Sequence, residues 1–275
     1  MKKKIEQPTE QDRNAIRLLV RAREDFQAQR KRMDNRIGRK ADGKEQNVER
    51  NVRIEDADYF VAVSNAAKSQ EDEIEKALKK LLKRFPIYTE WLLSVKGVGT
   101  IAAAHIVAAY DIHKADTISK LWQYTGLNPG MVRGKKRHEN KDGTFRIEIT
   151  DTMIRGDRLT AGFVAPFNKN LRTALCGVLA DGFIKAQAPY AMEYYYPYKE
   201  RLANSDKQTQ EIRKPGGKPE TIAWKDAKVA HRDRAAKRFM IKAFLRDLYN
   251  VWRPLEGLNV RPPYQEEYLR HKHAS

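Results

Sequence analysis

The residues best suited to chemistry in this chain sit at one glycine-punctuated break. Lys96-Gly97-Val98-Gly99-Thr100 separates two apolar stretches within "SVKGVGTIAAAHIVAAY". The chemistry would be the holding of an anion. A helix N-terminus has unpaired backbone N–H groups and a partial positive charge, so phosphate oxygens bind there readily. Glycine reaches backbone angles closed to other residues and has no Cβ to hold a phosphate away. Helix, Gly97-Val98-Gly99, helix is therefore the recipe of a helix-hairpin-helix phosphate clamp. Val98 would turn into the hairpin, Lys96 would add a charge beside the turn, and Thr100 a hydroxyl at the start of the second helix. The same residues also fit a plain tight turn between packed helices. A clamp of this kind holds nucleic-acid backbone without reading bases.

Two cationic stretches could widen such a footprint. The loop "RGKKRHENK", residues 133–141, carries Arg133, Lys135, Lys136 and Arg137. In the last helical stretch, Arg234, Arg238, Lys242 and Arg246 recur every fourth residue, and so do Ala236, Met240, Phe244, Leu248 and Trp252. The two rows are offset by two residues, roughly 200° around a helix, so one row can face the core and the other solvent. The outer row reads either as phosphate contacts or as an ordinary solvated face. Lys225, Lys228 and Arg232 extend its charge. Tyr194, Tyr195, Tyr196 and Tyr198 could stack on bases, although tyrosines this close together point different ways and packing suits most of them. The 275-residue chain has a net charge of +18 with 33% charged and 41% apolar residues. That balance allows a packed core and favours a polyanionic partner, most often nucleic acid.

Little points to other chemistry. Asp111, Asp116, Asp151, Asp157 and Asp181 are scattered and give no two-metal pattern. His271 and His273 form His-x-His near the end, read here as a surface tail. No Walker loop or dinucleotide fingerprint occurs, so the sequence gives no ground to expect a metal or a cofactor. Cys176 is the single cysteine, which excludes an internal disulfide and fits a reducing compartment. "MKKKIEQPTEQDR" lacks the apolar core of a secretion signal. No apolar run reaches the roughly 18 residues that would span a bilayer. The expected setting is cytoplasmic and nucleoid-associated, with no membrane partner.

These residues need elements to position them. Pro8-Thr9 with Asp12 three residues on marks a helix start. The helix to about Ile37 carries Leu19, Phe26 and Met33 seven apart, a narrow stripe like one seam of a coiled coil. "GRKADGKEQNVERN", 38–51, reads as a loop. A second helix follows on Phe60, Val63, Ala67, Ile74, Leu78, Leu81, Leu82 and Phe85, stopped by Pro86. Short helices flank the glycine break. Another begins near Asp116 and ends at Gly126 in a left-handed conformation. Asp142-Gly143 between alternating runs predicts a small β-ribbon. Helical spacing returns from Phe167 to Phe183, 205–221 reads as a flexible loop, and a final helix spans about Ile222 to Trp252. The predicted fold is mainly α. A coiled-coil-like helical arm over 1–86, able to join two copies of the chain, precedes a helix-hairpin-helix domain over 87–275 with a β insertion at about 131–157.

Taken together, "LLSVKGVGTIAAAHIVAAYDIHKADTISKLWQYTGLNPG" resembles the C-terminal transposase domain of the insertion-sequence-one-ten family, RNA-guided recombinases that move DNA elements. The shared pattern is a leucine-rich helix, Gly-hydrophobic-Gly, an alanine-rich helix, and a helix ending in Tyr124-Thr125-Gly126-Leu127-Asn128-Pro129. "NKNLRTAL" and "AAKRFMIKAFLRDLYNVW" continue the resemblance, and the preceding helical pair looks like the family's coiled-coil arm. It covers about two thirds of the chain. It implies DNA as partner, transposition or recombination as process, and a structured guide RNA as a further partner. Two departures bear on catalysis. No RuvC-like acidic domain is legible. The place of the family's nucleophilic serine reads Val132-Arg133-Gly134, with no serine between Ser119 and Ser205. Strand transfer needs an activated hydroxyl, and Thr144 and Thr160 are the nearest. The expectation is a DNA-gripping relative with no cutting site of its own. A recombinase using a Thr or Tyr nucleophile and a structural RNA-binding protein are the other readings.

Overall fold

The computed structural model describes residues 8–38, 54–212 and 217–262. The expected loop from residue 39 onward, the centre of the 205–221 loop and the tail with His271 and His273 lie outside the described residues. The fold is mainly helical with two small antiparallel hairpins. It divides into two compact units, Met1–Glu90 with Gly99–Ala109, and Trp91–Val98 with Tyr110–Ser275.

In the first unit, helix α1 (Glu10–Arg36) starts as its sequence suggests. The Thr9 hydroxyl accepts the Asp12 N–H, and the Asp12 carboxylate accepts the Thr9 N–H at 2.9 Å. α1 packs against α2 (Ile54–Leu82) and α3 (Thr100–Ala109). Because α1 meets two helices, its buried face is not the expected seam. Ile16, Val20 and Ile37 are buried with Arg13 and Asp34, while Leu19, Phe26 and Met33 are only partly covered. The α1–α2 contact is instead threaded by ions. Glu71 takes Arg30 Nε at 2.6 Å and lies 3.7 Å from Arg23, and Ser64 donates to Asp34 at 2.6 Å. Arg17 Nε closes on the Ala108 carbonyl at 2.7 Å, tying down the end of α3. α2 stops at Leu82, ahead of Pro86, which instead opens the next short helical turn. There the missing N–H costs no hydrogen bond.

The second unit is built around α8 (Val229–Leu255), with α4 (Ile118–Tyr124), α5 (Lys169–Thr173), α6 (Ala180–Lys185) and α7 (Tyr196–Ala203). The predicted apolar row holds: Ala236, Met240, Phe244, Leu248 and Trp252 are fully buried. Trp91, Phe183 and Tyr190 ring Phe244 at centroid separations of 5.4–5.5 Å. Arg253, also buried, donates to the carbonyls of Ile112 and Ala115 and so ties the segment before α4 to α8. Gly126 ends α4 with φ +73°, and the ring of Phe167 fills the place of its missing Cβ. The helix expected from Phe167 to Phe183 is interrupted by a π-helical stretch at Ala174–Leu179.

Strands β1 (Met131–Glu139) and β2 (Phe145–Arg155) form the expected ribbon, turned at Gly143 with φ +78°. The basic stretch after Met131 is therefore strand, not loop. The 205–221 segment is also corrected. Its ends pair as β3 (Gln208–Glu211) and β4 (Glu220–Ala223), with Thr209 opposite Ile222. That pairing draws Ile222 out of the last helix, which starts at Val229 behind Lys228, whose N–H meets the Glu211 carboxylate at 3.3 Å.

Candidate nucleic-acid interface

At the glycine break the two glycines have different reasons to exist. Gly97 has φ +96°, a region that side-chain-bearing residues rarely adopt. A Cβ there would stand 2.7 Å from the Phe183 ring and 3.2 Å from the Phe183 Cα. Close packing on α6 accounts for Gly97 without any ligand. Gly99 is exposed, and nothing lies within 4 Å of where its Cβ would be. It stands just before α3, and the Gly99 carbonyl accepts the Ala103 N–H at 3.0 Å. The first amides of α3 follow in the chain, beginning with Thr100. Lys96 is exposed and Val98 and Thr100 are half-buried.

On α8 the basic row is not the uniform outward stripe expected. Arg234 is exposed, but Arg238, Lys242 and Arg246 are half-buried. Arg246 is spoken for within the fold: it donates to Asp247 at 2.9 Å and to the Tyr194 hydroxyl at 3.2 Å. Burial works against its charge, and these hydrogen bonds outweigh burial and raise its pKa. Lys242 differs. Its ammonium lies 4.3 Å from the centroid of the Trp122 ring, whose indole N–H donates to the Lys242 carbonyl. Burial pushes its pKa down, with no carboxylate to oppose the effect. Arg238, one turn earlier, is lowered by burial and then by neighbouring Arg172, against weaker support from Cys176 and Asp157.

Asp157 is already committed. Arg155 grips it with two hydrogen bonds of 2.9 and 3.0 Å, and Arg172 donates to its backbone carbonyl at 2.6 Å while lying over Phe167. Arg158 and Arg234 act on the same neighbourhood, both depressing the His231 pKa after burial itself. The result is a cationic neighbourhood of Arg158, Arg172, Arg234 and Arg238 beside a carboxylate, Asp157, that Arg155 already holds, with Lys242 a turn further along α8. Sequence reasoning found Arg234, Arg238 and Lys242 by their spacing. It missed Arg158, Arg172 and Trp122, which come from other segments.

On the ribbon, Arg133, Lys135, Lys136 and Arg137 are all exposed. Arg137 lies over Phe145 at 3.3 Å, and Lys136 over Phe163 at 5.6 Å. Gly134 is buried because the Phe163 ring occupies its Cβ position. The Val132-Arg133-Gly134 triplet thus lies in a strand whose glycine serves packing.

Four of the candidate hydroxyl-bearing side chains, Thr144, Tyr110, Tyr195 and Tyr198, are engaged within the fold. Thr144 is held in the ribbon turn, its hydroxyl donating to Asp142 at 2.6 Å. Tyr110 is fully buried against Thr125, and burial raises its pKa. Tyr195 is buried and donates to Asp233. Tyr198 stacks on Phe239 at 4.2 Å. Burial pushes the Cys176 thiol up to about 11 despite Arg172 and Arg238 nearby. Among the described residues no three His, Cys, Asp or Glu side chains group closely enough to hold a metal ion, and no helix is long and apolar enough to cross a membrane. No known family model and no curated protein matches the chain.

Proposed function

We propose that this chain is a transposase-like DNA-binding protein, acting in DNA transposition or recombination by gripping the phosphate backbone, with no strand-cutting step of its own. The observation that carries this reading is the pair Arg238 and Lys242. Both are half-buried cations on successive turns of α8: no carboxylate supports Lys242, and the only one supporting Arg238, Asp157, is already held by Arg155. Burying charge is costly unless an opposite charge completes it. A phosphodiester laid across the patch would supply that charge, with Arg158, Arg172 and Arg234 around it.

The open start of α3 at Gly99 supports a second grip of the helix-hairpin-helix kind. The α1–α2 pair is assigned the part of a coiled-coil-like arm that joins two copies. A structured guide RNA is the remaining partner that this reading adds, and the protein would work in the cytoplasm at the nucleoid.

Fluorescence anisotropy with a labelled duplex across a salt series tests the reading. Arg238→Gln/Lys242→Gln should weaken binding of every duplex sequence. It should also reduce the log–log salt slope by about 0.9 per lost contact, about 1.8 in all. The wild-type chain ignoring duplex DNA at low salt would sink the proposal. Structured RNA displacing DNA at equal concentration would turn it toward an RNA-binding protein. Supercoiled DNA with magnesium should stay uncut.

A further inference from the structure

The ribbon's outer face was not part of the argument for a backbone grip, and its composition is unusual. Val132, Gly134 and Lys136 lie on the side of β1 that meets the rest of its unit: Ile154, opposite Val132, is buried, and Phe163 closes on Gly134 and Lys136. The other side is free. It holds Met131, Arg133, Lys135 and Arg137 from β1 and Phe145, Ile147, Ile149 and Met153 from β2, all exposed. Ile147 is 53% and Ile149 61% exposed, values that would suit a surface meant to be covered. Register places Arg133 opposite Met153, Lys135 opposite Ile149 and Arg137 opposite Ile147. Each cation therefore stands beside an apolar side chain, and the Arg137 guanidinium is already laid over Phe145.

Which partner fits follows from charge and width. Seven Lys and Arg against four Asp and Glu lie between Met131 and Arg155, in a chain of net charge +18. A second copy would bring like charge to like, whereas a polyanion is attracted. A two-stranded ribbon enters the major groove of B-form DNA, about 12 Å wide, where apolar side chains meet thymine methyls and Arg or Lys reaches guanine. The major groove of A-form RNA is too deep and narrow for side chains to read. β1 has nine residues, about 30 Å at roughly 3.3 Å each, close to one turn of the duplex.

We propose that the β1–β2 ribbon is a groove-reading element that lays its mixed apolar and cationic outer face into the major groove of duplex DNA. This rests on the DNA-binding reading above and adds to it: the α8 patch holds backbone, and the ribbon supplies sequence preference. The apolar side chains, not the charges, carry that preference.

The test uses the full chain, a labelled duplex and protection of guanine N7 from methylation, which reports the major groove. Wild type should protect N7 positions over about one helical turn. Ile147→Thr/Ile149→Thr keeps every charge and stays β-branched. It should lose that protection and about tenfold in affinity for preferred sequences, with the salt slope unchanged. Arg133→Gln/Lys135→Gln/Arg137→Gln should instead lower the slope. Circular dichroism confirms that each variant is folded. Wild-type affinity and protection in the isoleucine variant would overturn the ribbon's role and leave the backbone grip standing. A change in sedimentation with no change in protection would make a second copy the occupant and overturn it as well. Absence of any DNA binding by the wild type would remove both proposals, and preferential binding of duplex RNA would remove this one.

Discussion

Gly97 and Gly99 lie two residues apart, and replacing each with alanine should give opposite phenotypes. At Gly97 alanine must adopt φ +96°. A left-handed backbone costs an L-residue about 1–2 kcal/mol. Its methyl would also stand 2.7 Å from the Phe183 ring and 3.2 Å from the Phe183 Cα. The ring can turn aside, but the backbone of α6 cannot without moving Gly182, where a Cβ would already press on the Gly97 carbonyl at 3.0 Å. Overpacking of this kind costs about 1–3 kcal/mol. Together the two effects predict a loss of roughly 2–5 kcal/mol for Gly97→Ala. At Gly99 the backbone is not in the left-handed region and the space is open, so Gly99→Ala should change stability by less than about 0.5 kcal/mol. If the start of α3 holds phosphate, a larger residue such as Gly99→Val should weaken DNA binding in a protein that melts normally. Urea unfolding followed by tryptophan fluorescence, beside the anisotropy assay, separates the two effects. Gly97→Ala unfolding at the wild-type midpoint would refute the packing argument. Equal destabilisation at both positions would show that the turn, and not Phe183, demands glycine.

Two further outcomes follow from the arm. Glu71→Gln leaves Arg23 and Arg30 facing a neutral amide at a side chain only 2% exposed. Breaking a buried ion pair costs about 3–5 kcal/mol, and because both arginines keep some contact with water about 2–4 kcal/mol is expected, read as a lowered urea midpoint. An unchanged midpoint would mean that the network is not what holds α1 to α2. Burial, followed by Arg23, lowers the pKa of His105 below the ordinary imidazole value, with the Glu24 carboxylate 3.6 Å away. The folded state thus favours neutral imidazole, so its contribution is present above about pH 6.5 and is lost as pH falls through that value toward the lower folded pKa. Glu24, raised by burial, has the opposite sign nearer the carboxylate range. The melting temperature should therefore drop more for wild type than for His105→Gln between pH 7.5 and about pH 5.5, and parallel curves would refute the assignment.

Local signals were legible where the physics is local. Thr9 and Asp12 announce their capping box, Gly126 its left-handed helix end, Asp142-Gly143 its ribbon turn, and the every-fourth-residue apolar row of α8 its buried face. What escaped depends on partners distant in sequence. Phe183 explains Gly97, Phe163 explains Gly134, Lys242 lies against the Trp122 ring, and Arg238 is half-buried with Arg172 as a like-charged neighbour. No spacing on α8 itself reveals that. The arm misled for a related reason. Counting apolar residues seven apart favours Leu19, Phe26 and Met33, yet the tighter contacts along α1 and α2 are Arg30 with Glu71 and Ser64 with Asp34. Hydrophobic periodicity is blind to such pairs. The β3–β4 hairpin was hidden because Gln208–Glu211 is polar and its pairing partner lies across a Pro-Gly-rich interval.

The backbone passes from one compact unit to the other after Glu90, returns after Val98 and leaves again after Ala109. Neither unit is a continuous cassette. A fragment cut at Glu90 would lose α3 and leave uncovered the flanks of α1 and α2 that it shields. The remaining piece would carry the alanines and isoleucines of α3 without the two helices they pack against. Transplanting the arm onto another protein would therefore require two separate grafts, and a single nick anywhere in the ten residues of α3 should loosen α1 and α2, the helices it packs against.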